Sequence, residues 1–371
     1  MTRTYRYPLR PTKAQEATLL AWLGFCQRLY NAALEHRIGA WRRARKSVSL
    51  YAQTTELAVL RSEDSDAAAV PSDIARSALR RLDRAFQAFF RRCRSGEKPG
   101  FPRFRGRDWY DSFSFPAVRV EGNRVHVPKL GPVRFHDYRP LQGEVREVTI
   151  RRGAGRWWVS FSCDLGDAPP KVAVRRATGI DLGLTTFATL SDGSEVPNPR
   201  YFRAGEQCLA WRQQALARKC RGSKSRARAK LLVQKAHEHT RNQRLDFSRK
   251  LAAQLYAEYD LIAYEDLAIR NMIRGPLAKS IGDAAWGTFI RCLTSRAESA
   301  GRHAVAVDPR GTSQRCSGCG TVVPKALSER VHRCPCGLVL SRDQNAALNV
   351  LALGRSAVGL APPEVLTPTR C

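Results

Sequence analysis

Nowhere in the 371-residue chain is there a run of roughly 18 apolar residues, so no transmembrane helix is expected. The first residues, MTRTYRYPLRPTK, carry no apolar core of the kind a secretory signal needs. A soluble cytoplasmic protein is the expectation. Paired cysteines are also missing. Of eleven, four cluster at Cys316, Cys319, Cys334 and Cys336, while Cys26, Cys93, Cys163, Cys208, Cys220, Cys292 and Cys371 are scattered singly. That usage excludes a disulfide framework and fits a metal site in a reducing compartment. Acidic residues are scarce, 33 against 63 Lys and Arg, leaving a net charge of +30. Such a balance spread along a chain favours a polyanionic partner, although a GC-rich genome, in which Arg is abundant, would leave a similar mark. What is present is enough apolar content (43%) for sizeable cores and enough length for two to three domains.

Taken in order, Arg3–Arg10 alternates as a short strand, and Thr12 and Gln15 have the form of a capping box at a helix start. Leu19, Trp22, Leu23, Cys26, Leu29, Tyr30, Ala33 and Leu34 then recur at helical spacing. A second helix is predicted from about Tyr51 and a third with Ser72 as its cap. The third carries an apolar stripe of Leu79, Leu82, Phe86, Phe89 and Phe90 beside arginines that include Arg84. The stripe reads as core or as a base-stacking platform, and the arginines as phosphate clamps. In the loop GEKPGFPRFRGRDWYDSFSFP, Arg103, Arg105 and Arg107 interleave with aromatics, a composition suited to nucleic acid or to anchoring a linker. From there to Cys163 the period becomes two, with hairpins predicted about Gly122–Asn123 and the GAG turn at 153–155, which suggests a small barrel.

A buried strand carrying Asp181 turns at Asp192–Gly193 into a second strand, and a third is predicted from Glu195 to Phe202. A basic helical region from Ala204 to Glu258 follows, broken at Gly222–Ser223 into an antiparallel pair. Arg218, Lys219, Arg221, Lys224 and Arg226 cluster at the break, either as a solvated surface or as phosphate contacts. Next come a strand ending on Glu265, a loop NMIRGPLAKSIGD, an amphipathic helix with Trp286, Phe289, Ile290, Leu293 and Ala297 on one side, and a buried strand at His303–Pro309.

CSGCG and CPCG, with fourteen residues between Cys319 and Cys334, can close a tetrahedral structural Zn²⁺ site. His332 is a substitute ligand of last resort. Strand, turn, strand, strand, helices, strand, helix, strand and helix is the element order of an RNase H-like domain. Asp181 falls on its first strand, Glu265 ends its fourth and Asp343 opens its last helix. Three convergent carboxylates can hold two Mg²⁺ ions at a scissile phosphate. Asp181 could also simply cap a turn, and Asp343 its helix. Asp266 alternates to the opposite face from Glu265.

The ordered set YRYPLRPTKAQE, CQRLYNAALEHR, GEKPGFPRFRGR, GRWWVSFSCDL, GIDLGLTTFATLSDG, IAYEDL, AWGTFIRCL, TSQRCSGCG and RDQNAALNVL resembles the TnpB proteins of bacterial insertion sequences, relatives of the type V CRISPR effectors. The resemblance implies an α/β multidomain protein: a wedge-like β-barrel at 1–10 and 97–170, a helical recognition insertion at 11–96, a RuvC-like nuclease domain at 171–309 and 341–353, a zinc ribbon at 310–340 and a disordered tail at 354–371. It implies that Asp181, Glu265 and Asp343 bind catalytic Mg²⁺ and that Cys316, Cys319, Cys334 and Cys336 hold zinc. The implied activity is RNA-guided cleavage of double-stranded DNA beside a short flanking motif, by a monomeric ribonucleoprotein, with a guide RNA from the element's end and no membrane partner. Bound to DNA, it would be part of the bacterial nucleoid. The chain departs from the family at Ser341, where an Asp often stands, and in the short CPCG spacing. A non-cleaving RNA-guided repressor, a compact type V effector and an RNA-independent transposase are the competing readings.

Overall fold

The structure is a computed structural model and describes residues 1–106, 109–116, 118–326 and 328–361. It divides into two compact units, Met1–Asp167 and Ala168–Cys371.

In the first unit β1 (Thr2–Arg10) is followed by four helices, α1 (Lys13–Ala44), α2 (Leu50–Glu63), α3 (Ser65–Ala69) and α4 (Ser72–Arg94). Six strands then follow: β2 (Ser112–Pro116), β3 (Val120–Glu121), β4 (Arg124–Val127), β5 (Gly131–Phe135), β6 (Glu144–Gly153) and β7 (Arg156–Asp164). All seven strands form one sheet in the order β2-β6-β7-β1-β5-β4-β3, every neighbour antiparallel. The expected barrel is thus a seven-stranded sheet in which, among the described residues, β2 and β3 do not pair to close it. Alternation puts Tyr5, Tyr7 and Leu9 of β1 on the same face as their partners Phe161, Val159 and Trp157 of β7. That face and the helices share one continuous core, since Leu19, Trp22, Cys26 and Tyr30 of α1 and Ile74, Ala78, Leu79 and Leu82 of α4 belong to the same buried cluster. The capping box at Thr12 and Gln15 is formed, with bonds of 3.3 and 3.0 Å. Ser72 is not a cap: Pro71 holds that position and Ser72 is the first helical residue, the fixed proline φ starting the turn without a side-chain bond. Leu79, Leu82 and Phe86 are core, whereas Phe90 is exposed and stacks on Phe86.

The second unit opens with β8 (Ala177–Leu182), β9 (Thr186–Leu190) and β10 (Glu195–Pro197), then the helical hairpin α5 (Tyr201–Ala217) and α6 (Lys224–Glu258). After β11 (Leu261–Glu265) come α7 (Ile269–Met272), α8 (Ala278–Ala284), α9 (Trp286–Ser299) and β12 (His303–Val307). The small hairpin β13 (Val331–Arg333) and β14 (Val339–Ser341) leads into α10 (Arg342–Ala357). The main sheet has the order β10-β9-β8-β11-β12, with β8, β11 and β12 parallel to one another and β9 and β10 antiparallel.

Five expectations need correction. The turn at Asp192–Gly193 joins β9 to β10, and the strand carrying Asp181 ends earlier, at Leu182. The third strand stops at Pro197, because α5 begins at Tyr201. The stretch read as a loop, Asn271 to Asp283, contains the end of α7 and most of α8, and it has a function in the fold. Asp283 accepts from the amides of Phe202 and Arg203 at 2.7 and 3.0 Å, capping α5, whose own N-cap Arg200 makes no such bond. The strand β12 is an edge strand, and only Val307 of it is fully buried. Finally, α10 runs past Leu353 to Ala357, so residues 354–357 are helix rather than tail; 362–371 lie outside the described residues.

Candidate active site and metal centre

Two faces of the parallel strands have different covers. Ile180, Leu182, Ile262 and Tyr264 share a core with α6 and α9. On the other face lies α10. A Cβ on Gly179 of β8 would meet Ala347 O at 2.1 Å and Leu351 N at 2.5 Å, and a Cβ on Gly354 of α10 would meet Ala263 Cβ of β11 at 2.3 Å. Helix and sheet therefore approach too closely for a side chain at two points, against backbone at Gly179 and against the Ala263 side chain at Gly354. Gly179 and Ala263 are register partners, and the next residues of the same alternation are Asp181 and Glu265. These two carboxylates thus sit on adjacent parallel strands, on the face that α10 covers. Asp343 lies one helical turn before Ala347, in the first turn of α10, where the helix dipole favours a carboxylate. Ser341, the residue that departs from the family pattern, is the N-cap of that helix and accepts from Gln344 N at 3.0 Å, so Asp343 is not spent on capping.

The charge balance of this corner is unfavourable without a cation. Burial, then the negative charges of Glu265 and Asp343, push the Asp181 carboxyl up to about 8, against relief from Arg342 and Arg330. Glu265, 7% exposed, is raised by burial and partly relieved by a hydrogen bond from Thr312. Asp266 is exposed, as alternation requires. The three acids are close enough to repel, but among the described residues the one group of three or more acid, His or Cys ligand atoms lying within 4.8 Å of one another is the cysteine set.

That set is Cys316, Cys319, Cys334 and Cys336, with Cys316 and Cys334 buried. Tight turns form both halves, Gly320 N donating to Cys316 O and Gly337 N to Cys334 O, each at 2.9 Å. Sulfur separations are 3.8 Å for Cys316–Cys336 and 3.4 Å for Cys319–Cys334. A tetrahedral ion with metal–sulfur bonds of about 2.3 Å spaces its sulfurs about 3.8 Å apart, so the cluster can hold a metal ion. Hydrogen bonding with Thr321 brings the Cys319 thiol down to about 6, toward the thiolate a ligand must be. His332, fully buried, turns its Nδ1 to Lys325 and is not part of the cluster.

Polar side chains that sequence reading passed over join the two sites. Asn349 donates to Thr312 O at 2.8 Å and to Arg315 O at 2.7 Å, and Asn345 donates to Arg315 O and accepts from Ser317 N. Arg342 reaches Ala326 O at 2.8 Å and Ser313 Oγ at 3.2 Å. The available signal was the buried pair Asn345 and Asn349, one turn apart on the apolar side of α10.

Among the basic candidates, Arg84, Arg103 and Arg105 of the first unit are exposed, and Arg105 lies over the Tyr30 ring. Arg218, Lys219, Arg221 and Lys224 of the second are exposed at the hairpin tip. Arg226 is half-buried and donates to Leu216 O and Lys219 O, so it closes the hairpin. Arg107 lies outside the described residues.

Comparison with known proteins identifies the lineage. Residues 160–275 match the OrfB_IS605 family, described as a probable transposase, 286–350 match the Cas12f1-like TNB domain, and 1–46 match a helix-turn-helix domain of OrfB_IS605. A Streptomyces pristinaespiralis protein bearing the name RNA-guided DNA endonuclease is 34% identical over 96% of this chain and 90% of its own length. The chain belongs to the TnpB family. An Escherichia coli TnpB relative, InsQ, which bears the same endonuclease name, is 29% identical over 96% of this chain and 93% of its own. The fold of this TnpB chain is that of Cas12f1: one solved Cas12f1–sgRNA–target DNA complex matches with a TM-score of 0.58 at 12% identity, covering 94% of this chain and 98% of the other.

Proposed function

We propose that this TnpB chain is an RNA-guided, Mg²⁺-dependent DNA endonuclease of a transposable element, acting on double-stranded DNA matched to its guide beside a short flanking motif. The observation that carries the reading is that Asp181 of β8 and Glu265 of β11 lie on the face covered by α10, whose first turn carries Asp343, near enough for both other acids to act on the Asp181 charge. The strand order of the second unit supports an RNase H-like, RuvC-type core, with residues 310–340 as its zinc ribbon. The sheet and helices of the first unit take the wedge and recognition roles.

The acids present suit magnesium: all are hard oxygen donors, and burial, then the charges of Glu265 and Asp343, penalise the ionised Asp181 carboxylate, a penalty that a cation would offset. Bound there as a pair, Mg²⁺ ions would supply Lewis-acid activation of water and stabilisation of the leaving oxygen. The chain's own contribution is to fix Glu265, buried, and Asp181, half-buried, on two interior strands and Asp343, half-buried, in the first turn of α10. Arg342, tied to carbonyls of the ribbon, offsets part of their charge. Zinc in the four-cysteine site is structural, since all four ligand positions are filled by protein. The exposed cations at the α5–α6 tip and on Arg84, Arg103 and Arg105 suit contact with the backbone of the guide RNA or target DNA. The acting species is a monomeric ribonucleoprotein.

The test is to purify the protein with its genomic flank, sequence the RNA that accompanies it, and challenge the complex with a matched duplex in Mg²⁺. Cleavage that requires the match and stops in EDTA is the expected result. RNA-free protein that cuts element ends would favour the transposase reading, and matched binding without cutting would favour the repressor.

A further inference from the structure

Thr312 is not one of the three acids, yet its hydroxyl is the side-chain partner of one of them. It donates to Oε1 of Glu265 at 2.7 Å, with both residues buried. The hydroxyl has one proton and a second acceptor in reach, Pro309 O at 3.0 Å. A charged acceptor at the shorter distance takes it, because hydrogen bonds to ionised oxygens are the stronger ones. Thr312 is itself held. Asn349 of α10 donates to its carbonyl at 2.8 Å, and the same amide reaches Arg315 O at 2.7 Å, beside the first metal-binding cysteine. The last torsion of a glutamate is broad and roughly two-fold, so a buried carboxylate with no partner has no fixed orientation.

We propose that Thr312 is the positioning residue for Glu265: its hydroxyl occupies Oε1 and leaves Oε2 as the atom free to ligate a cation. The inference rests on the carboxylate reading of the proposed function. It adds that the ribbon segment, through Thr312 as held by Asn349 of α10, sets the geometry of an acid that belongs to the sheet.

The experiment compares the full-length ribonucleoprotein with its Thr312→Val and Thr312→Ser variants. Valine keeps the shape and removes the donor; serine keeps the donor. Mn²⁺ binding is read from the EPR signal of the free ion, as the uptake in excess of that by the guide RNA alone, and the Mg²⁺ concentration for half-maximal cleavage is read from single-turnover assays. Zinc content and duplex binding without divalent cation are measured alongside. Thr312→Val is expected to weaken Mn²⁺ binding and raise the Mg²⁺ half-point by about tenfold or more, the usual cost of losing a hydrogen bond that orients a metal ligand. Thr312→Ser should stay within about twofold of the unaltered protein. Zinc and duplex binding should not change. Wild-type metal affinities in Thr312→Val would overturn the proposal, and so would equal impairment of the serine and valine variants or a loss of zinc that tracks the loss of cleavage. If Asp181→Ala binds Mn²⁺ as well as the unaltered protein does, the carboxylate reading itself fails, which is a separate result.

Discussion

The two candidate metal sites of the second unit are built in opposite ways. The four cysteines come from two tight turns, and their sulfurs already stand at spacings near those of a tetrahedral ion. The three carboxylates come from β8, β11 and α10, separated by long stretches of chain, and are held near one another against their own repulsion. A site assembled by local turns can close on its ion as it folds. One assembled by the packing of distant elements holds its acids in a strained charge state, which a catalytic cation relieves. The proposed function accordingly assigns stability to the cysteine site and reactivity to the carboxylate site.

Replacing Asp181, Glu265 or Asp343 by Ala should break the reactive half of this contrast with the largest effect. Cleavage in single-turnover assays should fall by about 10³-fold or more, several kcal/mol of barrier, with zinc content and folding retained. Replacing Cys316 or Cys334 by Ala should break the stable half. The zinc equivalent should be lost on metal analysis, and the melting transition of the second unit should fall or broaden, because binding energy at a structural site is folding energy.

Gly179→Ala is the next largest. Its Cβ would sit 2.1 Å from Ala347 O, so α10 must move off β8, at a cost of about 1–3 kcal/mol in chemical denaturation. Cleavage should fall further than stability does, since Asp343 travels with the helix.

A smaller effect sharpens the charge argument. The Asp181 carboxyl is held up to about 8 in the folded chain, from an ordinary value near 3.8. Between those values the folded state binds the extra proton, so the stability of metal-free protein should fall as pH rises from about 4 to about 8 and then level off. Asp181→Asn should flatten that slope and raise the melting temperature near pH 8 by a few degrees, about 1 kcal/mol after allowance for partial exposure. Smallest of all are single substitutions of Arg218, Lys219, Arg221 or Lys224 by Gln. Each should lower the log–log salt slope of nucleic-acid binding by about one if it meets a phosphate.

The sequence discloses the local site more fully than the dispersed one. Two short cysteine motifs announce the four-cysteine cluster by spacing alone, and the capping box at Thr12 and Gln15 forms as read. Asp181, Glu265 and Asp343 could be named from element order and resemblance. What brings them to one face could not, because it depends on Gly179 and Gly354 letting α10 touch the sheet. Asp283 was hidden in a stretch too short and glycine-rich for helical periodicity, although its task is to cap a helix eighty residues earlier in the chain. Thr312 and Asn349 were hidden for a related reason: a buried polar side chain declares itself only once its partner is in place.

The claim that one site takes a catalytic cation while the other holds a structural one is tested most directly by counting both metals in the same sample. Zinc analysis and Mn²⁺ EPR on the intact ribonucleoprotein and on Asp181→Ala, each against the guide RNA alone, should give one zinc per chain in both and a protein-dependent Mn²⁺ uptake that is lost in the variant. Mn²⁺ binding unchanged by Asp181→Ala, or zinc lost together with it, would contradict the account.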